Sequence, residues 1–414
     1  MGPASVGAYS SKGKVEMKNG FKVIDADAHM QDRLASWVEM VEPEYYDRRP
    51  RIEILDDKYG MGPRIAEWRP SELLPDAVTR STTLQGGSGR RRTRVNLPEM
   101  MPAKYPDAYP AQWSAQSRLD DMARYGWDKQ VCIPDLGSLP FIRVQGRDQG
   151  YLWALVRAYN SWAREFCDTD PQKLYAVAAM PNQHDAEGLA AEGRRVIEEL
   201  NHVTIMMMSA NKGMQWQDPS YDKFWGLAEE LDFPMSFHGV TSGESHTAAR
   251  YQPRHLVPGQ QVALDHAAGF PFENMLSLGH MIYMGVLERF PKMRVSFLEG
   301  NSGWLPWWLS RLDDHALESR RQGMWFDAPL LPLQPSEYFR RQGFVACDGD
   351  EGALPGVVAL GWEDNVVWNT DYPHPDAPDP DKALDAFLDQ PISEEAKRKI
   401  LWDNAVRLYG KRIT

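Results

Sequence analysis

The sequence of 414 residues has little cysteine, no excess of basic residues and no long apolar run. Its three cysteines, Cys132, Cys167 and Cys347, are far apart in the chain, and an odd count without a CxxC pair argues against a disulfide framework. The net charge of -12 disfavours binding to nucleic acid or to an anionic membrane, because both require a basic face. No segment reaches the roughly 20 apolar residues of a membrane-spanning helix. These absences predict a cytoplasmic protein that acts on a small molecule.

Nucleotide-binding motifs are missing as well. No GxGxxG segment follows the first predicted strand, and no GxxxxGK[ST] loop occurs, which weakens any nucleotide-cofactor interpretation. Residues 1–20 are small and polar and lack the apolar core of a secretory signal, so we expect a flexible N-terminal tail. Residues 21–414 are expected to form a single domain.

Short apolar runs alternate with amphipathic helices along the chain. Eight strands are predicted, at residues 21–29, 130–134, 174–181, 203–208, 234–238, 293–299, 343–347 and 365–371. Most are continuously apolar, which is typical of parallel strands buried on both faces. Eight such units predict an α/β fold of the (β/α)8 TIM-barrel type. Residues 30–113, rich in Pro, Gly and Arg, predict an insertion with a few short helices that covers the barrel mouth.

Metal-ligating side chains stand at the ends of the predicted strands, where a parallel α/β barrel carries its catalytic residues. They are Asp27, His29, His238, Glu299 and Asp371. Asp27 and His29 are two residues apart, so both side chains point to the same face of the strand. Any one of these residues alone could be an ordinary hydrogen-bonded polar residue or a helix cap. Together they predict a divalent transition metal, since imidazoles and carboxylates suit zinc, manganese or iron(II).

Several segments resemble the amidohydrolase superfamily, in particular the amidohydrolase-related branch that includes aminocarboxymuconate semialdehyde decarboxylase and resorcylate decarboxylase. The resemblance extends over residues 21–410 and rests on segments 27–29, 237–239, 285–291, 297–306, 370–374 and 400–405. It implies that Asp27, His29, His238 and Asp371 are metal ligands, that Asp371 also transfers a proton, and that the chain forms a homodimer.

Two departures from the family pattern are relevant. Glu299 stands where the family often has histidine, so it is either a ligand or a general base. The strand at 203–208 has no lysine, so the carboxylated lysine that bridges two metals in some members is absent. One ion is therefore preferred, and a second ion requires an extra ligand.

Three further residues are candidates for the site. His280, on the helix predicted at 274–290, is either a packing residue or a ligand of a second metal bridged by Glu299. His374 would contact substrate or orient Asp371. Trp304 would form a wall of the substrate pocket.

The sequence leaves four functions open. In hydrolysis, the ion lowers the pKa of a bound water toward about 7 and Asp371 accepts its proton. In non-oxidative decarboxylation, the ion holds a carboxylate or hydroxyl while an acid protonates the carbon. A di-iron oxygenase would use Glu299 and His280 as extra ligands, and a degenerate barrel would only bind. We prefer a hydrolase or carboxy-lyase with Asp371, His238 and Glu299 as catalytic residues, acting on a partly apolar acid or its ester or amide.

Overall fold

The computed structural model describes residues 20–31, 36–49, 51–55, 64–68, 80–83, 97–134, 148–181, 185–208, 216, 218–239, 263–322 and 331–414. These residues form eleven strands: β1 (Ile24–Met30), β2 (Arg51–Leu55), β3 (Arg64–Trp68), β4 (Arg80–Thr83), β5 (Lys129–Pro134), β6 (Leu174–Ala179), β7 (Thr204–Met208), β8 (Met235–His238), β9 (Val295–Leu298), β10 (Gly343–Asp348) and β11 (Val366–Asn369). Eight of them make one parallel sheet in the order β1-β5-β6-β7-β8-β9-β10-β11. Their apolar side chains are buried, as the continuous apolar runs predict.

The sheet closes where its last strand meets its first. Ala28 and Tyr372 form a parallel bridge just beyond the end of β11. The amide of Asp371 donates to the carbonyl of Asp27 at 3.0 Å, and the amide of His29 donates to the carbonyl of Tyr372. The predicted (β/α)8 barrel is therefore confirmed, and its seam runs directly through two segments with candidate metal ligands.

The described residues also form thirteen α-helices: α1 (Leu97–Lys104), α2 (Ala115–Tyr125), α3 (Gln149–Cys167), α4 (Ala186–Glu198), α5 (Asp222–Glu230), α6 (Ala263–Tyr283), α7 (Val286–Arg289), α8 (Leu305–Gln322), α9 (Pro335–Gln342), α10 (Leu354–Ala359), α11 (Pro380–Leu388), α12 (Glu394–Arg398) and α13 (Asn404–Tyr409). The helix predicted at 274–290 is split into α6 and α7 because Gly285 adopts a left-handed conformation with a φ of 72°. None of the helices in these residues is long and apolar enough to cross a bilayer.

The segment predicted as an insertion contains more than helices. Its described parts include α1 and an antiparallel sheet of β2, β3 and β4, whereas the sequence predicts a few short helices and no sheet is assigned there. The strand signal is present in β2, where Ile52 and Ile54 alternate with charged residues. Residues 1–19 and much of 30–113 lie outside the described residues, so the tail and the covering of the barrel mouth remain predictions.

Candidate metal centre

Five predicted site residues meet at the C-terminal end of the barrel. Asp27 and His29 lie in β1, and His238 is the last residue of β8. Glu299 directly follows β9, and Asp371 follows β11 after a single residue. His29 Nε2 lies 3.2 Å from Asp27 Oδ1 and 3.2 Å from Asp371 Oδ1. His238 Nε2 lies 2.6 Å from Glu299 Oε2, so both imidazoles face carboxylates.

Several polar atoms of this cluster are buried and make no well-formed hydrogen bond among the described residues, although some lie within ion-pair distance of one another. They are both carboxylate oxygens of Asp27, both ring nitrogens of His29, His238 Nε2, Glu299 Oε2 and Asp371 Oδ1. A buried polar atom that lacks a partner costs about 1–3 kcal/mol. Nitrogen and carboxylate oxygen donors in this arrangement suit a divalent transition metal, which would coordinate several of them together.

The candidate ligands form two overlapping groups, each with its ligand atoms within 4.8 Å of one another. One group is Asp27, His29 and His238, and the other is His29, Glu299, Asp371 and His374. The two groups share His29, whose Nε2 lies 3.2 Å from both Asp27 Oδ1 and Asp371 Oδ1, so they are neighbouring parts of one cluster. The cluster therefore offers several candidate ligands for a metal.

Burial and neighbouring charges shift the pKa values of the residues in this cluster. Burial raises the pKa of Asp371, but the neighbouring His374 and His29 outweigh this effect and hold that pKa well below its usual range. Burial lowers the pKa of His29, and contacts with Asp27 and Asp371 more than reverse that change. Burial and the charge of Asp371 together raise the pKa of Glu299. The cluster thus favours positive charge beside its carboxylates, and a divalent cation would supply such a charge.

The backbone is strained at both carboxylates that follow strands. Glu299 has a φ of 48° and Asp371 a φ of 54°, in the left-handed region that non-glycine residues rarely adopt. Such conformations cost about 1–3 kcal/mol each and persist where the surrounding structure imposes them. Next to His238, a Cβ on Gly239 would lie 2.5 Å from the Cα of Phe270, so glycine allows α6 to approach the site.

His374 joins the cluster from the loop after β11. Its ring stacks on that of His29 with centroids 4.0 Å apart, and its Nδ1 lies 2.8 Å from Asp371 Oδ1. Lys104 Nζ donates to the carbonyls of His374, Pro375 and Ala377, and Tyr105 donates to the carbonyl of His374. Lys104, the last residue of α1, and Tyr105 therefore fix the loop that carries His374.

This contact gives a stability prediction. We expect Lys104→Met to lower the free energy of unfolding by about 1–3 kcal/mol, because several carbonyls lose a charged donor. Lys382→Met is the control, since its ion pair with Asp379 is exposed to solvent and should contribute little to stability. Equilibrium urea denaturation measures both variants, and equal losses in the two would contradict the interpretation.

Two predicted residues lie apart from the ligand groups. His280 lies on α6 with its ring 5.2 Å from that of Trp216, burial lowers its pKa, and neither group of candidate ligands in the described residues includes it. The prediction of His280 as a ligand to a second metal therefore has no support, because the residue packs against an aromatic ring. Trp304 packs edge-on against Phe297 and lines a cavity of about 500 Å³ with Asp348.

One polar residue of the site region was missed by the sequence analysis. Asp348 is the last residue of β10, one position beyond the predicted strand end. Its two carboxylate oxygens accept hydrogen bonds from the side-chain amides of Asn301 and Asn369, each at 2.9 Å. Burial raises the pKa of Asp348 to about 7. The sequence feature that indicates this residue is a carboxylate directly after an apolar strand.

Comparisons with known proteins agree with this architecture. A sequence model of the family described as amidohydrolase matches residues 24–411, so the chain belongs to the amidohydrolase family. The chain is 26% identical over 299 residues to 2-amino-3-carboxymuconate-6-semialdehyde decarboxylase from Dictyostelium discoideum, covering 72% of this chain and 77% of that protein. It is 23% identical over 273 residues to gamma-resorcylate decarboxylase from Polaromonas sp., covering 61% of this chain and 76% of that protein.

Solved structures show the same fold. The structure of 5-carboxyvanillate decarboxylase from Sphingomonas paucimobilis has a TM-score of 0.63 and 20% identity, covering 95% of this chain and 100% of that chain. An amidohydrolase from Mycobacterium avium subsp. paratuberculosis K-10 has a TM-score of 0.68 and 19% identity, covering 94% and 100%. These comparisons confirm the predicted family and fold and give the di-iron oxygenase alternative no support.

Proposed function

We propose that this chain is a metal-dependent enzyme that decarboxylates a partly apolar organic acid without oxidation. The observation that carries the proposal is the cluster of buried ligand atoms on Asp27, His29, His238, Glu299 and Asp371, which lie close together and make no well-formed hydrogen bond among the described residues. Two curated relatives are named as decarboxylases, which favours this reaction over hydrolysis of an ester or amide. The absence of lysine from β7 favours a single ion over a lysine-bridged pair.

Asp27, His29, His238 and Asp371 would hold the ion, with Glu299 as a further ligand or as a base. A bound divalent ion would supply a positive charge that holds a substrate carboxylate or hydroxyl and withdraws electrons from it. Crystal structures of 5-carboxyvanillate decarboxylase from Novosphingobium aromaticivorans and of a dihydroxybenzoic acid decarboxylase from Polaromonas contain manganese, so manganese is the first ion to test.

A contact with the backbone orients the ring of His238 for binding a metal. Its Nδ1 lies 2.7 Å from the carbonyl of Gly239, and a carbonyl only accepts hydrogen bonds, so Nδ1 carries a proton. In the neutral ring the lone pair is then on Nε2, the atom that faces the cluster. This contact sets the ring as a metal ligand or as an acceptor for Glu299.

Asp371 and His374 would transfer the proton that the reaction requires. As the bond between the carbon and the carboxylate breaks, its electron pair stays on the carbon and carbon dioxide leaves. The carbon then needs one proton. His374, whose Nδ1 lies 2.8 Å from Asp371 Oδ1, would supply that proton, and Asp371 would pass it to the carbon.

The test is product analysis with manganese-loaded protein and a panel of hydroxylated aromatic and unsaturated carboxylic acids. We expect release of one carbon dioxide per product molecule, and, in deuterium oxide, one deuterium at the carbon that lost the carboxylate. Protein treated with a chelator is the control and should be inactive. Cleavage of esters or amides without carbon dioxide would favour the hydrolase, and consumption of oxygen would contradict both.

A further inference from the structure

Asp348 lies between the two segments that carry the site carboxylates. It ends β10, whose neighbours in the barrel are β9 and β11. Asn301, two residues after Glu299, donates to Asp348 Oδ2 at 2.9 Å. Asn369, two residues before Asp371, donates to Asp348 Oδ1 at 2.9 Å. One carboxylate therefore links both segments.

Both segments need such a restraint. Glu299, Asn301 and Asp371 all have positive φ angles, of 48°, 55° and 54°. Residues of this type leave the left-handed region unless their surroundings fix them. The turn after β9 has a further anchor, since Glu351 accepts hydrogen bonds from the amides of Ser302 and Gly303. Asp348 is the element that connects this turn with the end of β11.

We propose that Asp348 is a positioning residue for the metal centre, which sets the separation of Glu299 and Asp371 through Asn301 and Asn369. The inference rests on the proposed metal-dependent function. Asp348 touches neither ion nor substrate in this role. It acts on the two ligands through the backbone, as hydrogen-bond partners outside the ligands do in other metal sites.

The experiment measures manganese binding, so it needs no substrate. Metal-free protein is titrated with Mn²⁺, and free ion is followed by its electron paramagnetic resonance signal. For Asp348→Ala we expect the dissociation constant to rise by about 10- to 100-fold, with a changed signal from the bound ion. Asp348→Asn keeps one carbonyl-type oxygen and should give a smaller rise. Asp350→Ala removes a neighbouring exposed charge and should bind as the wild type does.

Two further variants separate the contributions of the two hydrogen bonds to manganese affinity, and a folding measurement accompanies each of them. Asn301→Ala releases the Glu299 side, and Asn369→Ala releases the Asp371 side, so each should weaken binding by part of the Asp348→Ala effect. Circular dichroism establishes that each variant is folded at the assay temperature. Wild-type affinity in folded Asp348→Ala, or an equal loss in Asp350→Ala, would overturn the inference. A wild-type chain that binds no Mn²⁺ would instead overturn the proposed metal centre and this inference with it.

Discussion

Replacing Asp371 with alanine is expected to remove both the bound metal and the activity. Its Oδ1 is 3.2 Å from His29 Nε2 and 2.8 Å from His374 Nδ1, so the carboxylate joins the ligand cluster to the only proton source that we assign. We expect metal content to fall from about one ion per chain to a small fraction, and turnover to fall by at least about 10³-fold. Inductively coupled plasma mass spectrometry and carbon dioxide release measure the two effects.

Asp371→Asn separates the two roles of this residue. The amide keeps an oxygen that ligates weakly but delivers no proton at neutral pH, so turnover should fall by about 10²- to 10⁴-fold while more metal is retained than in Asp371→Ala. His280→Ala is the control, because His280 belongs to neither ligand group, and it should retain its metal. Full metal content in Asp371→Ala, or loss of metal in His280→Ala, would refute this assignment of the ligands.

Much of the fold was accessible from the sequence because buried parallel strands are continuously apolar. The four residues of β11 are all buried, as their apolar run indicates. The sequence also predicts a long helix over residues 149–167, and α3 is observed with the same ends. That helix begins sharply because the Asp148 side chain accepts a hydrogen bond from the amide of Tyr151. In contrast, α9 was missed: it is short and largely polar, and its Gln334–Glu337 capping box is a weak signal.

The site was predictable only in part. Barrel topology brings strand ends together, so Asp27, His238 and Asp371 follow from strand positions alone. The stacking of His374 on His29 depends on a loop conformation that no spacing rule provides. Asp348 receives hydrogen bonds from residues 47 and 21 positions away, and such long-range partners leave no local pattern in the sequence.

Asp25 lies in β1, two residues before Asp27, and links β1 to β5 and to the residue after β11. It is fully buried in β1 and accepts hydrogen bonds from the amide and hydroxyl of Thr370, at 3.0 and 2.6 Å, and from Gln130 at 2.9 Å. Burial raises the pKa of Asp25 to about 7 in spite of these donors, so the buried negative charge does not itself stabilise the fold. Replacing Asp25 therefore costs stability because its hydrogen-bond donors lose their partners.

We accordingly expect Asp25→Ala to lower the free energy of unfolding by about 3–5 kcal/mol, since three or more buried donors are stranded between β1, β5 and the end of β11. Asp128→Ala is the matched control, because Asp128 accepts one hydrogen bond from the amide of Val23 just before the same strand, and it should cost only about 1 kcal/mol. Urea denaturation in the presence of a chelator compares the two variants without a contribution from bound metal. A loss in Asp25→Ala no larger than that in Asp128→Ala would mean that the bridge between Ala28 and Tyr372 and its neighbouring backbone hydrogen bonds close the barrel without this carboxylate.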